Sequence, residues 1–144
     1  MNFPTDAVFK VVTGFHRAVF DVSKGKLLGK ASGMPVVKLT TIGRKSGQRR
    51  YTMLTSPLVE GDNVVLVASK GGDDRNPAWF GNLVANPVVD VVMSGSNRKM
   101  RARVTEGDER TRLWEALTAK HANYAGYQRK TSRQIPVVLL EPRP

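Results

Sequence analysis

The stretch Val36-Val37-Lys38-Leu39-Thr40-Thr41-Ile42-Gly43-Arg44-Lys45-Ser46-Gly47-Gln48-Arg49-Arg50 is where the chain changes its period. Upstream, residues 5–22 set Val8, Val11, Val12, Phe15, Val19 and Val22 at helical spacing, with Thr5 or Asp6 as cap and Pro4 just outside. A linker rich in Lys and Gly, residues 23–35, ends at Gly33-Met34-Pro35. From Val36 the β-branched run 36–42 predicts a strand, and the glycine-bounded basic segment after it predicts a turn into a second strand.

Working outward, strands are expected over 50–59 and 63–69, joined by the hairpin signal Glu60-Gly61-Asp62. Asn76-Pro77 predicts a helix start, Asn76 as N-cap and Pro77 at the first helical position, with the stop before Asn86-Pro87. Strands over 88–93 and 99–105 flank the turn Ser94-Gly95-Ser96-Asn97. Gly107-Asp108 opens a helix to about 122 with Leu113, Trp114 and Leu117 inward. A short segment carrying Tyr124 and Tyr127 follows, then a strand over 136–140. The order lacks the βαβ alternation of a doubly wound sheet. It predicts one domain over 1–144, mainly antiparallel β with helices, the sheet curled into a barrel.

The 144 residues hold 23 Lys or Arg against 12 Asp or Glu, a net charge of +11, and no cysteine. Without Cys there is no disulfide framework, thiolate nucleophile or Cys-ligated zinc. His16 and His121 lie far apart, so no metal site is expected. The start lacks a secretory signal and no stretch reaches the length of a membrane span, so the expected location is cytoplasmic. Between Asp21 and Glu60 there is no acidic residue, while Lys24, Lys26, Lys30, Lys38, Arg44, Lys45, Arg49 and Arg50 all fall there. Further basic sets are Arg98, Lys99, Arg101 and Arg103, and Arg129, Lys130 and Arg133. Such a field suits a polyanion: nucleic acid, anionic lipid or a phosphorylated, carboxylated small molecule.

Four features can carry chemistry. In Gly43-Arg44-Lys45-Ser46-Gly47-Gln48-Arg49-Arg50, glycines at both ends let backbone N–H groups converge on an anion, with Lys45, Arg50 and the Ser46 hydroxyl as further donors. It is neither a Walker A loop nor G-x-G-x-x-G; a plain solvated turn is the alternative. Ala68-Ser69-Lys70-Gly71-Gly72 ends an apolar strand with two glycines, which allow a close ligand or simply a left-handed turn. The helix from Asn76 carries Trp79, a core or cofactor-wall residue, and Asn82, which can meet a polar ligand. Tyr124 and Tyr127, three apart, share one side of a helical turn, and their hydroxyls can orient a carbonyl or donate a proton. Conventional catalytic sets are absent: no Gly-x-Ser-x-Gly, no His-Glu-x-x-His. An enzyme built this way leaves the reactive group to a cofactor.

The segments Leu39-Thr40-Thr41-Ile42-Gly43-Arg44-Lys45-Ser46-Gly47, Ala68-Ser69-Lys70-Gly71-Gly72 and Asn76-Pro77-Ala78-Trp79-Phe80-Gly81-Asn82-Leu83-Val84-Ala85-Asn86-Pro87, in this order, resemble the deazaflavin-dependent nitroreductase and quinone reductase family, which uses coenzyme F-420, an 8-hydroxy-5-deazaflavin. Tyr124-Ala125-Gly126-Tyr127-Gln128 and Ile135-Pro136-Val137 resemble it too, so the likeness runs from about residue 20 to the end. It implies a split β-barrel related to flavin-mononucleotide-binding proteins and hydride transfer to a quinone, nitro compound or similar acceptor. By the same resemblance Lys45, Ser46, Gly47 and Arg50 hold the cofactor's phosphate and tail, with Arg44 and Arg49 adding field. Leu54, Ala68, Ser69, Lys70, Gly71, Trp79 and Asn82 line the deazaflavin. Tyr124 and Tyr127 stand over the ring, and Ser69 or a tyrosine polarises or protonates the acceptor. At Tyr51-Thr52-Met53-Leu54 the chain departs from relatives that have proline or asparagine after the basic loop. The rival expectations are a nucleic-acid-binding module, which calls for aromatics interleaved with the basic strands, and a flavin-mononucleotide or haem protein on the same barrel. Peripheral lipid contact through the first helix is a further expectation; neither nucleic acid nor an obligate protein partner is expected.

Overall fold

The computed structural model describes residues 30, 31 and 33–143; the helix expected over 5–22 lies outside them. Eight strands form one antiparallel sheet: β1 (Lys30–Ala31), β2 (Met34–Ile42), β3 (Arg49–Thr55), β4 (Leu58–Glu60), β5 (Asn63–Val67), β6 (Val88–Met93), β7 (Ser96–Val104) and β8 (Val137–Pro142). The path runs β1-β2-β6-β7-β8-β5-β4, with β3 on the free edge of β2. Three helices complete the described fold: α1 (Ala78–Ala85), α2 (Gly107–Lys120) and α3 (Asn123–Arg129). The antiparallel sheet with helices packed on it agrees with the strand order read from the sequence and with the split β-barrel that the resemblance implies.

Strand alternation builds two apolar layers. Val37 and Leu39 of β2, Val64 and Leu66 of β5, Met100 of β7 and Leu140 of β8 point to the inner side, where Trp79 and Leu83 of α1 close over them. Residues one position away point outward: Val65, Val137 and Leu139 meet Leu113 and Leu117 of α2 and Tyr124 of α3. Burying one such Val or Leu contributes about 1.5–3 kcal/mol, so each face is held mainly by apolar burial.

Both expected hairpins form. Gly61 (φ 62°) turns β4 into β5, and Ser94 (φ 52°) with Gly95 (φ 79°) turns β6 into β7, the left-handed pair of a tight two-residue turn. Several boundaries differ. The strand expected over 50–59 is two, broken at Ser56-Pro57 because Pro57 has no N–H and Ser56 is buried. The Ser56 N–H donates to Pro35 O at 3.0 Å and its hydroxyl donates to Val65 O at 2.7 Å. The strand expected over 63–69 stops at Val67, and Ser69 leads instead into a short helical turn, Lys70–Gly72. The strand expected over 99–105 starts earlier, at Ser96, and ends at Val104. Helix α1 begins at Ala78, and the residue before it, Pro77, is extended (ψ 154°). Asn76 is therefore no cap, and its side-chain oxygen accepts from Arg133 at 2.9 Å. The helix expected to about 122 ends at Lys120, and α3 is a separate helix.

Candidate functional site: a basic loop and a left-handed turn

The basic loop is a closed turn. Gly43 N–H donates to Gln48 O at 2.7 Å, and Gly47 N–H (φ 72°) donates back to Gly43 O at 2.8 Å. A Cβ on Gly43 would meet Ser46 Oγ at 2.5 Å, so a larger residue there would push the Ser46 hydroxyl out of its present place. Ser46 Oγ accepts from Gln48 N–H at 3.1 Å, which leaves its own O–H proton for a ligand. One buried side chain fixes the loop to the barrel: Asn82 Oδ1 accepts from Arg44 N–H at 3.1 Å and Asn82 Nδ2 donates to Thr41 Oγ1 at 3.2 Å. Asn82, read from sequence as a ligand contact, thus has its amide engaged in positioning the loop. The Arg44 guanidinium lies against Gly81 of α1, where a Cβ would collide with it.

Pairing sorts the charge. Arg49 ion-pairs with Asp90 at 2.9 Å and Lys99 with the same carboxylate at 3.3 Å. Arg103 binds Glu109 at 2.6 Å and Glu141 at 3.2 Å, which raises its pKa further. Arg98 donates to Asp62 O at 3.2 Å and Arg112 pairs with Glu60 at 2.9 Å. Among the described residues, Lys45 and Arg50 are exposed and in no ion pair. Arg50 stands opposite Thr41, on the face of β3 that also carries Thr52 and Leu54. Leu54 packs on the inner cluster, and Arg49, one residue earlier, points the other way to Asp90. Adjacent arginines therefore have different fates, decided by strand alternation. A cavity of about 270 Å³ lies beside the Asp90 group, lined by Thr40, Ile42, Arg49, Pro87 and Lys99 among others. Its two cations, Arg49 and Lys99, share the Asp90 carboxylate, which would also repel an anion, so it is a poorer place for one than the Lys45 and Arg50 loop.

The second feature is the turn after β5. Ser69 is right-handed (φ −78°, ψ −37°), and Lys70 (φ 46°), Gly71 (φ 64°) and Gly72 (φ 88°) are all left-handed. A right-to-left step of this kind gathers successive N–H groups into an anion-binding concavity. Gly72 N–H donates to Ser69 O at 2.9 Å and Asp73 N–H to Lys70 O at 3.1 Å; no described residue accepts from the N–H of Lys70 or Gly71. A Cβ on Gly71 would enter open space, whereas one on Gly72 would meet Tyr127 O at 2.9 Å. Lys70 is a non-glycine residue held at positive φ, a conformation found where surroundings over-determine it.

The two tyrosines separate. Tyr124 is buried in the outer cluster, its hydroxyl donating to Met34 Sδ at 3.6 Å. Burial pushes its pKa up against a hydrogen bond from Thr55, so the phenol stays protonated. Tyr127 is half-buried, packs edge-on against Tyr124 at 5.7 Å, and has Lys130 Nζ 5.9 Å from its ring. Trp79 and Ala68 are buried in the inner cluster, and Ser69 is buried just past the end of β5. Arg133, counted in the sequence as surface charge, is engaged with the backbone around the left-handed turn. No group of His, Asp or Glu among the described residues could hold a metal, and no described helix is long and apolar enough to cross a membrane.

At the basic loop and the second turn, Lys45, Arg50 and the N–H groups of Lys70 and Gly71 have no acceptor among the described residues, a donor set that suits a small anionic ligand. The comparisons narrow the class. The family model for F420H(2)-dependent quinone reductases matches residues 14–142. An F420H(2)-dependent quinone reductase of Mycobacterium tuberculosis is 38% identical over 132 residues, covering 89% of this chain and 88% of the relative. A solved F420-H2 dependent reductase, FDR-A, superposes with a TM-score of 0.67 at 42% identity over 74% of this chain and 94% of its own. A structure described as a domain-swapped dimer gives 0.68 at 36% identity over 96% and 99%. A haem-binding protein from Mycobacterium smegmatis shares the fold alone, at 19% identity and a TM-score of 0.53 over 83% of this chain and 49% of its own. The chain belongs to the F420H(2)-dependent quinone reductase family.

Proposed function

We propose that the protein reduces a quinone with reduced coenzyme F-420, bound between the basic loop 43–48 and the left-handed turn 70–72. The observation that carries this reading is the pair of exposed, unpaired cations Lys45, on a loop anchored by Asn82, and Arg50, at the start of β3 beside it, in a chain of this family. The donor set fits the group: a phosphodiester with a carboxylated tail calls for cations and N–H donors without competing carboxylates, and the loop supplies them. When bound, the reduced deazaflavin supplies a two-electron hydride donor.

The chain's own residues do the rest. Lys45, Ser46, Gly47 and Arg50 bind phosphate and tail. Leu54, Ala68, Ser69, Lys70, Gly71 and the edge of Trp79 border the ring and keep water from it. Ser69 and Tyr127 are the hydroxyls that orient the acceptor oxygen, and one of them passes it the proton that accompanies hydride; Tyr124 shapes the wall behind Tyr127. Proximity and orientation are the main contributions of such a site. Nitro compounds are a second acceptor class on the same chemistry.

The nucleic-acid reading is weakened by Tyr51. It lies on the opposite face of β3 from Arg50, and its ring is covered by Lys38 Nζ at 4.5 Å, so it is no stacking platform for the loop. Parallel fluorescence titrations with oxidised F-420, flavin mononucleotide and an oligonucleotide test the reading, followed by anaerobic turnover of reduced F-420 with a quinone. Tightest binding of F-420 and quinone-dependent cofactor oxidation are expected; preference for either other ligand would refute the assignment. Contact of residues 5–22 with anionic lipid is a separate proposal, drawn from the sequence; it predicts partial sedimentation with anionic vesicles and none with neutral ones.

A further inference from the structure

Arg133 is the most heavily hydrogen-bonded cation near the candidate site, and none of its partners is a carboxylate. Its Nε donates to Asp73 O at 2.9 Å, Nη1 to Asn76 Oδ1 at 2.9 Å, and Nη2 to Ser69 O at 3.0 Å and Ala68 O at 3.2 Å. The guanidinium thus ties both ends of the segment 68–76, which includes the left-handed turn. Three backbone carbonyls converging on one side are mutually repulsive, and a planar, permanently charged fork answers all of them at once. The neighbouring contacts hold the same unit. Thr131 Oγ1 donates to Asp74 Oδ1 at 2.7 Å, and Gly72 fits against Tyr127 O only for want of a Cβ.

We propose that Arg133 is a positioning residue for the cofactor: it fixes the left-handed turn at Lys70 and Gly71 in its ligand-ready form before the cofactor arrives. The proposal rests on the functional reading above. A turn with three successive positive φ values is unfavourable for Lys70 without external support. Removing the support lets the segment sample extended states, and the cofactor must then restore order as it binds. Affinity falls by the fraction of molecules in the competent form.

The test uses the full-length protein with Arg133→Gln, Arg133→Lys and, as a control for lost charge, Arg112→Gln at the Glu60 pair. In cofactor-free protein, hydrogen exchange at the Gly72 and Asp73 amides, the two bonded N–H groups of the turn, should speed up about tenfold or more in Arg133→Gln. The β5 and β8 amides should keep their protection, which shows that the barrel is intact. Titration with oxidised F-420 should give a Kd raised about tenfold in Arg133→Gln, with Arg133→Lys in between, since an ammonium cannot span four acceptors. With a quinone acceptor, KM for the reduced cofactor should rise while kcat at saturation stays within about twofold, the pattern of lost pre-organisation. Arg112→Gln should change none of these. Unchanged exchange at Gly72 and Asp73 in Arg133→Gln would overturn the proposal. So would faster exchange with unchanged cofactor affinity, because the turn would then be supported by Arg133 but not used by the ligand. Wild-type protein that fails to bind F-420 would overturn the functional reading and the positioning role with it, while the exchange data would still decide whether Arg133 orders the turn.

Discussion

The basic loop at 43–48 and the turn at Lys70–Gly72 both contain left-handed glycine and both carry positive charge, yet they hold that charge in different ways. At the loop, Lys45 and, just beyond it in β3, Arg50 project without acidic partners, and one neutral side chain, Asn82, does the anchoring. Around the turn, the cation Arg133 is itself the anchor, engaged by carbonyl oxygens. Net charge does not distinguish them. What matters for a polyanionic ligand is which cations remain after the protein has satisfied its own acceptors, and in the proposed site that makes the loop the charged half and the turn the shaped half.

The sharpest contrast comes from glycine substitutions. At Gly72, an added Cβ meets Tyr127 O at 2.9 Å on backbone already at φ 88°, so Gly72→Ala should destabilise by about 2–4 kcal/mol, combining left-handed strain with displacement of α3. Thermal and urea unfolding would show it. Gly47→Ala has the same sign of φ, at 72°, but open space around the new methyl. It should cost only about 1 kcal/mol. Equal losses at the two positions would break the comparison, since it assigns tight packing to one turn and openness to the other.

Asn82→Ala lies between these. It leaves Arg44 N–H and Thr41 Oγ1 without their partner in a buried setting, an expected loss of about 1–3 kcal/mol in unfolding free energy. Cofactor affinity should fall with it, although the amide itself is occupied by the protein. A variant that lost affinity with full stability would mean that Asn82 touches the ligand directly.

The smallest effect concerns pH. Hydrogen bonds from Arg75 hold Asp73 at about 2, below its ordinary 3.8. The folded-state value is depressed, so whatever stability Asp73 lends the turn is fully present above about pH 4 and is lost as pH falls through about 2. Between pH 5 and 8 the turn should show no titration from this group. A carboxyl chemical-shift titration with a midpoint near 4 would remove Arg75 from the account.

Much of this architecture was legible. The change of period at Val36, the Gly61 and Ser94-Gly95 hairpins and the helix between Asn76 and Asn86 are local signals, because alternation and left-handed glycine act within a few residues. What stayed hidden depends on contacts distant in sequence. Ser56-Pro57 breaks a strand because a buried hydroxyl finds Val65 O, nine residues on. Tyr124 and Tyr127 share a helical turn, but only the packing of Met34 and Leu113 draws Tyr124 into the outer cluster. Asn76 looked like a cap until Arg133, 57 residues later, took its oxygen. Arg133 itself sits in a basic run that gives no local hint of the carbonyls it binds. For the candidate site, the motifs marked both turns correctly as structural features, while the roles of Asn82 and Arg133 needed the tertiary arrangement.

In the proposed site, Lys45 and Arg50 bind the anionic part of the cofactor. The direct measurement is a fluorescence titration of oxidised F-420 with wild-type protein and with the Lys45→Ala, Arg50→Ala double variant. Both side chains are exposed, so the double variant should melt within a few degrees of wild type. Loss of two charge-assisted hydrogen bonds, at about 1.5–3 kcal/mol each, predicts a Kd raised about 100-fold or more. A folded double variant that binds F-420 as tightly as wild type would contradict the account.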